Sequence, residues 1–271
     1  MYAIDFEYDG QYLSDYGFIV CSFDSSSGTN IVDAGSKITF NKVPHHRGKQ
    51  YSLASTQYDT CIQAIFDICK NPEEYDKEEM VITSNEYRDL MRWLNRNEFL
   101  KFHVFYDDDE RDVCYFNVSF NIEKIYIGEL LYGLRLTLES DRPFGYGQEQ
   151  SDSYNFINTS SSFIFHDSSD EIGSTYPFVT ITCHTDGNLK IHNELENCTT
   201  YIKNCKAGEV ITLDGELQII TSTYNSHDIC NDFNYEFLRI GNTFQTRSNR
   251  ITVSLPCEIN IRYSPIIKET P

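Results

Sequence analysis

The stretch Cys114-Tyr115-Phe116-Asn117-Val118-Ser119-Phe120-Asn121-Ile122 decides the fold class, because its large apolar side chains recur at every second residue. A β-strand sends successive side chains to opposite faces, so Phe116, Val118, Phe120 and Ile122 enter a core while Tyr115, Asn117, Ser119 and Asn121 face away from it. Residues 132–140 repeat the pattern, with Leu134, Leu136 and Leu138 set against Arg135, Thr137 and Glu139. Residues 100–106 precede both, across an acidic turn Asp107-Asp108-Asp109-Glu110. The three runs predict an antiparallel meander with one buried face.

Upstream of the meander, Thr83 followed three residues later by Glu86 forms a capping box, and Tyr87, Leu90, Met91 and Leu94 then recur on one helical face. This predicts a helix from Ser84 to about Asn97 packed on the sheet, with Trp93 beside the stripe as a packing residue. At the start of the chain, Ile4-Asp5-Phe6-Glu7-Tyr8 alternates and runs into Asp9-Gly10, a dipeptide that accepts positive φ, so a hairpin is expected there. Residues 18–23 and 37–40 read as further short strands, separated by the polar loop 24–30. Residues 43–58 hold the one locally basic patch, His45, His46, Arg47 and Lys49, and read as an exposed loop or arm.

Downstream, Asp141-Arg142-Pro143-Phe144-Gly145-Tyr146-Gly147 stops the strand pattern, because a proline and two glycines in so short a span do not sustain a ladder. A boundary here predicts domains 1–146 and 147–271. After a serine-rich run carrying Phe163-Ile164-Phe165, the chain reads as short strands at 178–184, 188–191, 200–203, 210–213, 217–221, 237–240 and 251–263, with Asp186-Gly187 and Asp214-Gly215 as hairpin turns. Many short strands at this spacing predict a β-sandwich. The fold class is therefore mainly β in two domains, a sheet or sandwich with one packed helix followed by a second sandwich.

Composition narrows the function. A formal charge of −19, from 22 basic and 41 acidic residues, argues against gripping nucleic acid, which needs basic patches to displace phosphate counterions. The same charge suits a surface past which DNA slides without sticking. Nine cysteines without a C-x-x-C pair spell neither a zinc ribbon nor a disulfide framework, so free thiols are expected. The first ten residues carry Asp5, Glu7 and Asp9 where a secretion signal has basic and then apolar residues, and no apolar run reaches membrane-spanning length. Folding in a cytosol is the expectation, with no membrane contact.

No catalytic residue is nominated. A G-x-S-x-G elbow, an H-E-x-x-H helix and a phosphate-cradling glycine loop are all missing from the sequence, and carboxylates are too abundant for an acid–base pair to stand out. Cys183-His184 with His192, and His45-His46, lack further ligands at metal-site offsets, and Asp107 to Glu110 lacks the ligand-and-glycine order of a calcium loop. No metal or cofactor is expected.

The order of these features resembles the distal tail protein family of siphophages. The matching segments in the first half are Phe6-Glu7-Tyr8-Asp9-Gly10 leading into Ser14-Asp15-Tyr16-Gly17, the basic stretch Pro44 to Gly48, the helix Ser84 to Leu94, and Leu134-Arg135-Leu136-Thr137-Leu138-Glu139-Ser140-Asp141-Arg142-Pro143-Phe144. In the second half they are Gly208-Glu209-Val210-Ile211-Thr212-Leu213-Asp214-Gly215, Phe237-Leu238-Arg239-Ile240-Gly241-Asn242, and residues 251–263 followed by Pro265.

The resemblance implies a tail-tube-like N-terminal domain that closes a hexameric ring around a DNA channel, and a galectin-like C-terminal sandwich outside it. Such a ring is a baseplate hub at the virion tail tip, assembled in the bacterial cytoplasm. Its partners would be further copies of itself, the tail tube protein, the tail tip protein and a receptor-binding protein. The segment Thr243 to Arg250 departs from the family pattern, which puts the outer docking surface in doubt. Within this reading His45, His46, Arg47 and Lys49 are candidate subunit contacts that meet a neighbour's acidic residues. The alternatives are a carbohydrate-binding module in residues 148–271 and, on carboxylate abundance alone, a wall-degrading glycosidase.

Overall fold

The computed structural model describes residues 3–23, 36–42, 51–58, 61–106 and 114–268; for 36–42 and 51–58 the description covers the strands alone. The chain divides into two compact units, Met1–Tyr146 with Lys268–Pro271, and Gly147–Ile267.

Unit one is a seven-stranded antiparallel sheet carrying one helix. Its strands are β1 (Ala3–Tyr8), β2 (Gln11–Tyr12), β3 (Phe18–Cys21), β6 (Gln63–Lys70), β7 (Leu100–Tyr106), β8 (Phe116–Ile127) and β9 (Leu130–Ser140), in the order β2-β1-β7-β8-β9-β6-β3. A separate ribbon pairs β4 (Ser36–Lys42) with β5 (Tyr51–Tyr58). Asp9 and Gly10 both adopt positive φ (54° and 74°), the geometry a two-residue hairpin turn requires, and Glu7 lies opposite Tyr12. The meander holds, with β7 on β8 and β8 on β9, and Phe116, Val118, Phe120, Leu134, Leu136 and Leu138 are buried.

The helix α1 (Ser84–Leu94) lays Leu90, Trp93 and Leu94 into this core. Its capping box is complete: the Thr83 hydroxyl accepts from the Glu86 N–H, and the Glu86 carboxylate accepts from the Thr83 N–H at 2.7 Å. The same carboxylate pairs at 2.7 Å with the ammonium of Lys70, a side chain 4% exposed, so the cap also ties the helix to β6. Thr83→Ala is expected to remove about 1 kcal/mol from unit one. Thermal melting checks this, and an unchanged midpoint would mean that the cap contributes nothing.

The helix stops at Leu94 rather than near Asn97, because Asn95 leaves helical geometry (φ −87°, ψ 85°) while its N–H still reaches the Met91 carbonyl. Two further differences concern strands. Residues 51–58, read as loop or arm, form β5, and residues 63–70, for which no strand was expected, form β6 between β9 and the edge strand β3. There Asp67, nearly buried, accepts a two-pronged contact from Arg135 on β9, at 2.8 and 3.1 Å. The two-residue strand β10 (Gly145–Tyr146) bridges to Tyr115 and closes the unit.

Unit two is a β-sandwich. One sheet has the order β11-β21-β14-β17-β18, from β11 (Gln150–Phe156), β14 (Phe178–Cys183), β17 (Val210–Asp214), β18 (Ile219–Ser222) and β21 (Cys257–Tyr263). The other has the order β12-β20-β15-β16, from β12 (Ser161–His166), β15 (Gly187–Asn193), β16 (Cys198–Cys205) and β20 (Ser248–Val253). A short ribbon joins β13 (Gly173–Thr175) to β19 (Ile240–Asn242). Inward side chains such as Val179, Ile181, Leu189, Ile191, Ile202, Ile251 and Ile259 make the core.

Sequence spacing misread several places in this unit. Residues 251–263 are not one strand: Ser254-Leu255-Pro256 carries the chain from the four-stranded to the five-stranded sheet, and Pro256 has no N–H to continue a ladder. Asp186-Gly187 is such a crossing too, since β14 and β15 lie in different sheets, whereas Asp214-Gly215 does begin a hairpin. Phe237 and Leu238 are buried but outside any strand, and side chains satisfy the backbone there: Cys198 donates to the Phe237 carbonyl and Asn193 to that of Arg239.

Candidate functional site

His45, His46, Arg47 and Lys49 lie outside the described residues, as does the acidic turn 107–110. The strands that flank the basic stretch are described. The β4–β5 ladder runs from Ser36 opposite Tyr58 to Lys42 opposite Tyr51, so the four residues belong to the connection of a two-stranded arm. Among the described residues neither arm strand pairs with the main sheet. A lone two-stranded hairpin is marginal in water and gains stability when its face or edge is covered.

A second unpaired feature lies at the β8–β9 hairpin. β7 pairs with β8 only over Phe116 to Val118, so among the described residues the β8 edge from Ser119 to Ile127 has no strand beside it. The hairpin turn, with Gly128 at φ 66°, is flanked by Tyr126, Ile127 and Leu130, each at least half exposed. An open backbone edge beside an apolar tip is a pairing surface that natural proteins usually protect.

Cys183, His184 and His192, considered together as metal ligands, do not converge. Cys183 points into the core, His184 contacts the Asn155 amide at 3.0 Å, and His192, on the other sheet, contacts the Thr199 hydroxyl at 2.9 Å. No group of three or more His, Cys, Asp or Glu among the described residues is arranged to hold a metal ion. The nine cysteines are free thiols.

The most buried ionisable cluster escaped sequence reasoning. Glu209, fully buried, accepts from His227 Nδ1 at 2.6 Å, from the Ser222 hydroxyl at 2.5 Å and from the Lys206 N–H at 2.7 Å. His227 Nε2 lies 3.3 Å from Asp232 Oδ2 in α2 (Ile229–Asp232), off the line of a hydrogen bond. A serine, a histidine and two carboxylates suggest hydrolytic chemistry, but the His227 side chain is 2% exposed and Ser222 bonds to Glu209 rather than to the imidazole. The cluster is a latch that holds residues 222–232 on the sandwich.

Burial pushes His227 toward its neutral form, but the hydrogen bond and charge of Glu209 outweigh this and raise its pKa above 6.5. Burial pushes Glu209 toward its neutral form as well, which for a carboxyl means a higher pKa, but hydrogen bonds from Ser222, His227 and Lys206 outweigh this and hold its pKa below 4.5. The raised His227 stabilises fully below 6.5 and loses this as pH rises through its folded value. The lowered Glu209 stabilises above 4.5 and loses this as pH falls through its folded value. Unit two should therefore be most stable between about pH 4.5 and 6.5. Melting curves taken across pH check this, and His227→Gln should remove the alkaline decline; a decline that persists in the variant would assign it elsewhere.

The outer face of the five-stranded sheet is polar and internally bonded. Asn260 donates to both Ser151 and Ser153, and the half-buried Phe178 ring is capped by the Arg262 guanidinium at 4.6 Å. A sugar ring would need that aromatic face free to stack on it.

Two family models match this chain. One, described as a phage tail protein N-terminal domain, matches residues 1–142, and the other, described as a phage tail C-terminal domain, matches residues 144–263. Among solved structures, the crystal structure of phage SPP1 Dit (gp 19.1), described as a paradigm of hub adsorption apparatus in Gram-positive infecting phages, is similar with a TM-score of 0.63. The match covers 97% of this chain and 99% of that one at 10% identity, so the likeness is one of fold. No curated protein matches.

Proposed function

The chain belongs to the phage tail protein family, and from that membership we propose that it is the hub of a siphovirus tail tip, six copies closing a ring between the tail tube and the tail tip protein. The observation that carries this reading is the β4–β5 arm: a ribbon that among the described residues pairs with no other strand, with a connection bearing the one local cluster of basic residues in a chain of charge −19. In a ring each copy offers one surface to the neighbour ahead and a different one to the neighbour behind. The arm supplies one such surface, and the open β8 edge with its apolar tip supplies the other. Arg47 and Lys49 meet carboxylates of the adjoining copy, and the acidic inner wall lets DNA pass without retention.

Unit two, a galectin-like sandwich in this reading, faces outward and carries receptor-binding or other baseplate parts. Assembly takes place in the host cytoplasm before incorporation into the virion. The protein performs no reaction in this role. The carbohydrate-binding alternative is disfavoured by the arginine that caps Phe178.

Negative-stain electron microscopy of the purified protein is the test. Six-fold annuli are expected, and the paired change Arg47→Glu with Lys49→Glu should leave monomers. A wild-type protein that stays monomeric and never enters tails would overturn the hub reading, while annuli that survive the charge reversal would place the contact elsewhere.

A further inference from the structure

The four-stranded sheet of unit two breaks the charge pattern of the rest of the chain. Residues 147–267 hold fifteen Asp and Glu against seven Lys and Arg. Yet β12, β20, β15 and β16 contain no Asp or Glu at all, and they carry Lys190, Lys203 and Arg250. By contrast, the other sheet includes Asp152, Asp214, Glu258 and Arg262.

All three cations project from the same side. Along each strand the alternate residues are buried, Phe165 on β12, Ile251 and Val253 on β20, Leu189 and Ile191 on β15, Cys198 and Ile202 on β16. Period-two geometry therefore turns Ile164, Arg250, Lys190, Tyr201 and Lys203 outward together. The register places Ile164 opposite Arg250 and Lys190 opposite Tyr201, with the Lys190 ammonium 5.2 Å from the Tyr201 ring centre.

These charges are barely neutralised within the chain. Arg250 approaches Glu194 at 3.5 Å with both side chains more than half exposed, a pairing that solvent and salt weaken. Lys190 and Lys203 make no ion pair among the described residues. At the border, β12 pairs only with β20 among the described residues, which leaves an uncharged edge with Ile164 56% exposed.

We infer that this outer face is the docking surface for an acidic face of another protein of the same tail. The proposal rests on the hub reading, in which unit two carries partner proteins, and adds to it which face is used and what charge the partner presents. Complementarity selects an acidic occupant, since a second basic or neutral surface would leave three cations uncompensated. The mixture selects a protein. A phosphate-rich polymer is held by a continuous run of cations, whereas here single cations alternate with an isoleucine, a half-buried tyrosine and threonines, the composition of a protein interface.

The experiment uses the full chain, wild type and with Lys190→Glu, Lys203→Glu and Arg250→Glu combined. Each other structural protein of the same tail, purified singly, serves as probe, together with host wall polysaccharide and duplex DNA. One acidic tail protein should bind the wild type, less tightly as salt rises, and bind the charge-reversed chain at least tenfold less tightly. Lys190→Arg with Lys203→Arg should retain binding. The neutral set Lys190→Ser, Lys203→Ser and Arg250→Ser provides a second variant in case the reversed chain folds poorly, and should also weaken the complex.

Tail proteins that bind both chains equally, or that bind neither, overturn the proposal. So does binding of wall polysaccharide or DNA that is lost on reversal. Electron microscopy of the same samples separates the two readings: intact annuli with unchanged partner binding sink this inference alone, whereas missing annuli with charge-dependent partner binding sink the ring alone.

Discussion

Trp93→Ala is expected to destabilise unit one by about 4 kcal/mol, a large share of the roughly 5 to 15 kcal/mol that holds a typical folded domain together. The indole is 3% exposed, stacks on Tyr16 with ring centres 4.6 Å apart and on Phe6 at 5.7 Å, and its Nε1–H donates to the Tyr8 carbonyl at 2.9 Å. Truncation removes the packing of three elements at once, the N-terminal strand, the turn after it and α1, and also strands a buried carbonyl without its donor. Urea unfolding followed by circular dichroism measures the loss. Trp93→Phe, which keeps a ring but not the donor, should cost less. A loss below about 1 kcal/mol for the alanine variant would contradict the packing described. β1 is a strand of the seven-stranded sheet, so under the proposed hub reading any loss of assembly in the variant should follow from loss of the folded unit rather than from loss of a contact.

Glu209→Ala should have an effect of similar size on unit two, about 3 to 5 kcal/mol, because removing one member of a buried charged pair leaves the other uncompensated. His227 would lose its partner, and the Lys206 N–H and Ser222 hydroxyl would lose their acceptor. Relieved of that charge, His227 should return toward neutrality, so the alkaline decline in stability should vanish with the carboxylate. Hydrogen exchange localises the effect, with protection lost first over residues 222–232. In a double-mutant cycle Glu209→Ala and His227→Ala should be clearly less than additive. Full additivity would mean that the two side chains do not act together.

Much of unit one was legible because its signals are local. The alternation at 116–122 and 134–138 and the Asp9-Gly10 turn depend on a few neighbouring residues, and the structure contains the elements they announce. The capping box at Thr83 likewise marks the start of α1 correctly. β6 was missed because Gln63-Ala64-Ile65-Phe66-Asp67-Ile68 has no clean period of two: it is covered on part of both faces, and its one carboxylate is buried only because Arg135 from β9 meets it. β11 was missed for the opposite reason, since Gln150-Ser151-Asp152-Ser153 is nearly uniformly polar and owes its extended form to the β21 ladder.

The candidate sites divide in the same way. A run of basic residues at His45 to Lys49 is visible in one dimension, but the pairing of β4 with β5 on either side of it is not. The basic face of unit two is not visible, because Lys190, Lys203 and Arg250 are single charges in separate segments. The Glu209 latch is equally silent, because Ser222 and His227 meet Glu209, and Asp232 approaches His227, only after the chain has folded back on the sandwich.

Composition and short-range periodicity, by themselves, determined that this chain builds strands around two cores, where the first helix begins and that its surface is acidic. They did so because side-chain alternation and capping depend on neighbours in sequence. Only the tertiary structure decided which strands share a sheet, that residues 251–263 cross between two sheets, and that three scattered cations lie on one face. Strand pairing is a contact between distant segments, and its register is set by what the whole core can bury.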